Sequence, residues 1–144
     1  MRLARNVLAF SIGIFFGGSL AYCSDARADG VYGVATLRSY HFDRTPKRNE
    51  NNLGLGLEIQ KGDWSGAVGY YNNSFERTTV YGLAGYTPYR ICDWHVGATF
   101  GLASGYNLPL FLAAVATRDF GRFGINIAAS VPAVAVQVKW RFSE

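Results

Sequence analysis

The chain has 144 residues, 49% of them hydrophobic and 17% charged, with a formal net charge of +4. That is length for one domain, and the charge is too weak for a nucleic-acid surface. The sequence holds no phosphate-cradling glycine loop, no paired-cysteine metal spacing and no zinc-protease motif, so neither a cofactor nor a metal is expected.

Residues 1–28 read as a secretory signal peptide. Arg2 and Arg5 supply a positive start, Val7 to Leu20 is an uncharged apolar run, and Ala26-Arg27-Ala28 places small residues where a signal peptidase reads, with cleavage after Ala28. The apolar run is shorter than the roughly 20 residues of a helical membrane span. Cys23 does not suit a lipoprotein, because bulky Tyr22 precedes it. Residues 29–144 then form the folded domain. Losing Arg2, Arg5, Arg27 and Asp25 lowers the net charge from +4 to +2. Cys92 is left as a single cysteine with no intramolecular disulfide partner, and is expected to be a small half-buried residue.

After the signal, period-two alternation dominates. A first strand is expected over Val31–Phe42, ahead of the charged stretch Asp43 to Glu50. Next, Leu53, Leu55, Leu57 and Ile59 oppose Gly54, Gly56, Glu58 and Gln60. Lys61-Gly62-Asp63 reads as a turn, followed by strands over Trp64–Asn73 and Thr78–Thr87 and a second turn from Pro88 to Asp93. In the segment Trp94–Ser104, Trp94, Val96, Ala98, Phe100 and Leu102 share a face. Leu108–Thr117, a turn over Arg118–Arg122, and Phe123–Ser130 come next. Last, Val134, Val136, Val138, Trp140 and Phe142 oppose Ala135, Gln137, Lys139 and Arg141. About eight segments of this length suit strands crossing a bilayer at a tilt.

Alternation alone fits a soluble sandwich as well as a membrane barrel. The barrel is favoured here. The non-apolar faces are Gly-rich and small, as a narrow interior requires. Aromatic residues (Trp64, Tyr86, Tyr89, Trp94, Trp140 and Phe142) gather near strand ends, as interfacial girdles do. The last strand ends in aromatic alternation, resembling the strand that outer-membrane assembly machinery reads. Closure also removes open edges, which lipid penalises heavily. The fold expected is all-β, a closed antiparallel transmembrane barrel of about eight strands in the bacterial outer membrane, and a monomer. Asp43–Asn52, Asn73–Arg77, Gly105–Asn107 and Val131-Pro132 would lie at the external mouth. Strict alternation points Arg38, Glu58, Lys139 and Arg141 inward, with Glu58 in ion-pair reach of a basic partner.

Few residues could carry chemistry. His95 reads as an interior histidine on the lumen face. His41 closes the first strand at the mouth, level with Asn73-Ser74, and a histidine beside a serine can move its proton during acyl transfer. If Arg38 faces inward, however, alternation turns His41 outward unless a bulge intervenes near Tyr40.

Ser39-Tyr40-His41-Phe42, Asn51-Asn52-Leu53-Gly54-Leu55-Gly56-Leu57 and Tyr71-Asn72-Asn73-Ser74-Phe75 run in an order similar to PagP-type lipid A palmitoyltransferases. Tyr106-Asn107-Leu108-Pro109-Leu110, Gly124 to Pro132 and Val138-Lys139-Trp140-Arg141-Phe142 continue the resemblance thinly along the chain. It implies an eight-stranded barrel that moves a palmitoyl chain from phospholipid to lipid A, with the chain held inside. It implies His41 and Ser74 as catalytic residues, with Asn73 in the place of the family's aspartate. An amide can orient an imidazole but cannot offset its charge. The chain also lacks the family's helix before the first strand. Pro109 and Pro132 resemble prolines flanking that family's lateral lipid gates, where a missing N–H weakens strand pairing; both also suit strand starts or turns. Two functions stay open: an acyltransferase acting on phospholipid and lipid A, and a non-enzymatic barrel for binding or envelope integrity.

Overall fold

The computed structural model describes residues 29–43, 47–131 and 133–143. The proposed signal segment and Pro132 lie outside the described residues. Eight strands follow one another: β1 (Gly30–His41), β2 (Asn51–Lys61), β3 (Trp64–Asn72), β4 (Thr78–Ile91), β5 (Trp94–Ala103), β6 (Leu110–Phe120), β7 (Phe123–Ser130) and β8 (Ala133–Ser143). Each pairs antiparallel with the next, and β8 pairs with β1, so the sheet closes into a barrel.

Three turns at one end are two residues long: Gly62-Asp63, Cys92-Asp93 and Gly121-Arg122. Gly62 and Gly121 take the left-handed backbone at φ 55° and 67°. Cys92 does so at 52°, which is uncommon for a side-chain-bearing residue. Its thiol is exposed, contrary to the half-buried site expected. The turn expected over Pro88–Asp93 is strand as far as Ile91. A bulge between Tyr86 and Tyr89 takes up Pro88, a place where a residue without an N–H does not break the ladder. Likewise β6 continues through Arg118 to Phe120, leaving only Gly121-Arg122 to turn.

The barrel is polar within and apolar without. Leu53, Leu55, Leu57 and Ile59 are all more than half exposed, and so are Leu102, Leu110, Leu112 and Phe142. Buried on the inner face are Thr36, Asn52, Glu58, Gln60, Thr79, Thr87, His95, Thr117, Asn126 and Lys139. Among the described aromatic residues, only Tyr32 and Tyr81 are buried. Tyr81 fits because Gly56 and Gly69, opposite each other on β2 and β3, have no side chains. A Cβ on either would collide with the Tyr81 hydroxyl.

Strict alternation fails at one place that matters. On β1, Thr36 opposes Gly54 and Gln137, and Arg38 opposes Asn51 and Val136, so Leu37 is an extra, bulged residue against β8, while against β2 it faces both Asn52 and Leu53. Thr36 is buried, Leu37 and Arg38 both face out, and Ser39 and His41 are buried again. The inward orientation expected of Arg38 is therefore wrong; its side chain is 70% exposed. The same inversion turns His41 inward, with the bulge falling earlier in the strand than the Tyr40 position that parity alone suggested.

Glu58 and Lys139 do point inward, with Oε1 and Nζ 3.3 Å apart and both side chains nearly sealed from solvent. Arg141 pairs opposite inward-facing Tyr32. Lys139 also meets Asp119 at 3.1 Å and lies over the Tyr32 ring at 4.5 Å. Asn126 donates to Glu58 and accepts from Thr117. This chain of partners from β1, β2, β6, β7 and β8 fills the lumen toward the two-residue turns.

Candidate functional site

The opposite end of the barrel carries the connections 42–50, 73–77, 104–109 and 131–132, the first three longer than the two-residue turns. Asparagines tie two of them together. Asn49 accepts from the Asn51 N–H through its side chain, and donates to the carbonyls of Asn51 and Asn73. Its own N–H donates to the Ser74 carbonyl at 3.1 Å. The β1–β2 connection is thereby laid on the β3–β4 turn, next to Ser74.

His41 and Ser74 meet there. Ser74 Oγ lies 2.8 Å from His41 Nε2, although β2 separates their strands. The imidazole is 5% exposed. With Nε2 accepting from the hydroxyl, the neutral ring carries its proton on Nδ1, and that buried nitrogen has no hydrogen-bond partner among the described residues. The Glu50 carboxylate approaches the His41 backbone N–H at 3.5 Å, not the ring.

Asn73 is beside the pair in sequence but does not serve it. Its side-chain oxygen accepts from the N–H groups of Phe75 and Arg77 at 2.9 and 3.0 Å. Its amide nitrogen donates to Thr79 Oγ1 and the Gly105 carbonyl at 3.0 and 3.3 Å. Fully buried, it holds the turn closed and anchors it to the β5–β6 connection. The expectation that Asn73 orients the imidazole therefore gives way to a structural role, because all of its amide capacity is used elsewhere. The Glu76 N–H is also taken, by the Asn73 carbonyl, so the three N–H groups following Ser74 are all engaged.

Below His41 and Ser74 opens a cavity of about 1100 Å³, just above the usual ligand-site range of roughly 300–1,000 Å³. Eight strands usually leave an interior filled by side chains or large enough for one small ligand. Here the inward residues are small, among them Ala67, Gly85, Ala128 and Ala135, and the space stays open between Val34, Leu83 and Val115. The cavity reaches Glu58, Thr117 and Asn126, where the Lys139 network closes it. Near the mouth, Tyr71 and Tyr106 share a 2.8 Å hydrogen bond between hydroxyls. Burial raises the pKa of Tyr106, which sits on the β5–β6 connection, so its hydroxyl stays neutral at physiological pH.

Pro109 precedes β6, and its carbonyl accepts from the Ala103 N–H at 2.8 Å; lacking an N–H, it cannot return the bond. On the other edge of β6, pairing with β7 begins only at Ala114 and Ala129. Leu110 to Ala113 thus have no ladder partner from β7, and the barrel wall is thin beside Val131. Among the described residues, no group of three or more His, Cys, Asp or Glu gathers as a metal site.

Several mouth residues escaped the sequence reading. Lys47 and Arg48 stood in a stretch read only as a charged loop. Asn49, two residues before Asn51, is a side-chain turn signal that could have marked a folded loop. Nothing local foretold that Tyr71 and Tyr106, from separate hairpins, would meet. No family model matches this chain, and no curated protein is significantly similar to it in sequence.

Proposed function

We propose that this protein is a bacterial outer-membrane barrel, exported by its first 28 residues, that transfers an acyl chain from a phospholipid to lipid A at its external mouth. The inversion of polarity supports the membrane: a belt of Leu, Ile, Val and aromatic side chains faces out, far larger than the few hundred Å² a soluble monomer exposes, while charge is stored inside. Aromatic pairs Trp64–Tyr86 and Phe123–Trp140 lie toward the turn end, consistent with a girdle.

The observation that carries the enzymatic reading is the 2.8 Å approach of His41 Nε2 to Ser74 Oγ above a deep cavity that suits an acyl chain. In this reading the chain lies in the cavity and its ester carbonyl sits at Ser74. The hydroxyl attacks that carbon as His41 takes its proton, and His41 returns the proton to the departing lysophospholipid oxygen. A lipid A hydroxyl then displaces the serine in the same way. The thin wall between β6 and β7, with Pro109 at the start of β6, would admit the chain from the side. The resemblance to PagP-type palmitoyltransferases points the same way. Mass spectrometry of lipid A from cells with and without the protein tests it: an added acyl chain is expected only with the protein, and identical spectra overturn the reading.

A second reading has its own support. His41 Nδ1 has no partner among the described residues, and the N–H groups after Ser74 are occupied, so neither an orienting acid nor an oxyanion hole from that turn is in place. A non-enzymatic barrel that binds a lipid, or contributes to envelope integrity, needs neither. Purified protein with labelled phospholipid donor and lipid A acceptor separates the two, since only the first reading yields labelled lipid A.

A further inference from the structure

Three basic side chains at the mouth have no part in the acyl-transfer reading. Lys47 and Arg48 come from the β1–β2 connection and Arg77 from the β3–β4 turn, and all three line the cavity with His41 and Ser74. None makes an ion pair with a described residue, unlike Arg38, Arg118 and Lys139. Among the described residues, the only acid lining the mouth with them is Glu76, since Glu58 is at the far end and Glu50 faces Arg38 at 3.9 Å. Arg48 is held in place: its guanidinium lies over the Phe75 ring at 5.4 Å, and the next residue, Asn49, is bonded to the Ser74 turn. Its Nε is nevertheless buried without an acceptor among the described residues.

A buried donor left unmatched is unfavourable unless a ligand supplies the acceptor. The acceptor must be anionic, because the surrounding side chains are cationic. Three cations from two connections, lining one opening, suit a group with several oxygens directed different ways, and phosphate fits this better than a planar carboxylate. Directly beneath, the cavity wall combines Val34, Leu83, Val115 and small residues with uncharged hydroxyl and amide side chains such as Thr36, Thr99 and Gln137. We infer that the cavity receives an amphiphile whose phosphate-bearing headgroup rests on Lys47, Arg48 and Arg77 while its apolar chain descends between the strands. The inference rests on the proposed reading of the cavity as an acyl-chain site, but requires no turnover.

The test is binding to the full barrel in neutral detergent, in a Ser74→Ala background so that no ligand is consumed. The probes are lysophosphatidylglycerol, the monoacylglycerol with the same chain, and inorganic phosphate. Lysophosphatidylglycerol should bind at least about tenfold more tightly than monoacylglycerol, as one charge-assisted hydrogen bond would provide. The advantage should shrink as salt is raised. Replacing Lys47, Arg48 and Arg77 together by Gln should erase it and leave monoacylglycerol binding unchanged. Equal affinity for the two lipids, or a preference that survives the triple substitution, overturns the inference. Phosphate alone binding as tightly as lysophosphatidylglycerol overturns it too, in favour of a free-anion site. If the triple variant does not fold, the salt dependence of the unsubstituted mouth decides: a preference indifferent to salt counts against it. A barrel that shows the preference but transfers no chain retains this inference and loses the acyl-transfer reading.

Discussion

At the scale of single residues, His41, Ser74 and Asn73 divide their labour differently from what their sequence order suggests. The hydroxyl and imidazole touch, whereas the amide braces the turn beneath them. If the acyl-transfer reading holds, Ser74→Ala and His41→Ala should each reduce transfer by about 10²-fold or more, the usual contribution of a positioned proton carrier, without moving the unfolding midpoint greatly. Labelled-donor assays beside urea titrations in detergent would show both. Asn73→Asp has the opposite profile to the one its neighbour suggests. A carboxylate cannot donate to Thr79 Oγ1 or the Gly105 carbonyl, and it places negative charge 3.3 Å from that carbonyl. The substitution should cost about 1–3 kcal/mol of stability and lower any transfer by loosening the turn that carries Ser74. An unchanged midpoint with higher transfer would show that the residue serves the imidazole after all.

At the scale of elements, the bulge at Leu37 decides which side of β1 the chemistry faces. Deleting Leu37 restores plain alternation between Thr36 and the strand end. It should leave the barrel closed and His41 inward, because Thr36, Ser39 and His41 then alternate regularly on the inner face. The expected result is a native-like far-UV spectrum in which the His41–Ser74 hydrogen bond persists, read from the imidazole NMR resonances; loss of that bond would sink the argument. The floor is a second element-scale device. Lys139 sits between Glu58 at 3.3 Å and Asp119 at 3.1 Å. Lys139→Met would strand both carboxylates, and breaking a buried pair by removing one partner typically costs about 3–5 kcal/mol. Glu58→Ala should cost less, because Asp119 still offsets the ammonium. Urea midpoints falling in the order unsubstituted, Glu58→Ala, Lys139→Met would support the network, and coincident midpoints would not.

On the scale of the whole molecule, the distribution of polarity is the main physical fact. A chain that keeps Glu58, Lys139, Asn126 and His95 inside and shows Leu, Ile and aromatic side chains outside should, on the proposed membrane reading, be stable only in apolar surroundings. The protein should therefore aggregate in detergent-free buffer and fold in micelles to a form that migrates differently on electrophoresis before and after boiling. A monodisperse, folded state in plain buffer would refute the membrane assignment. In micelles, the mouth connections around Lys47 and Arg77 should be cut by trypsin well before any site within the strands, because these long connections lie outside the ladder.

Alternation in the sequence was enough to specify eight strands, their order and the hidden face of most of them. Side chains alternate at a strict period of two, and hairpin connections leave little choice of neighbour. It also placed Glu58 and Lys139 inside together. Three features lay beyond it. Leu37 is an ordinary strand residue, and only its pairing register with β8 reveals it as the extra one. Pro88 carries a turn signal that the ladder overrode by bulging. Asn73 could equally orient a histidine or tie a turn until closure of the barrel brought Thr79 and Gly105 within its reach. Periodicity is a local property of the chain, and so can be read along it. Register, bulges and the choice among hydrogen-bond partners depend on residues distant in sequence, and these the closed barrel alone decided.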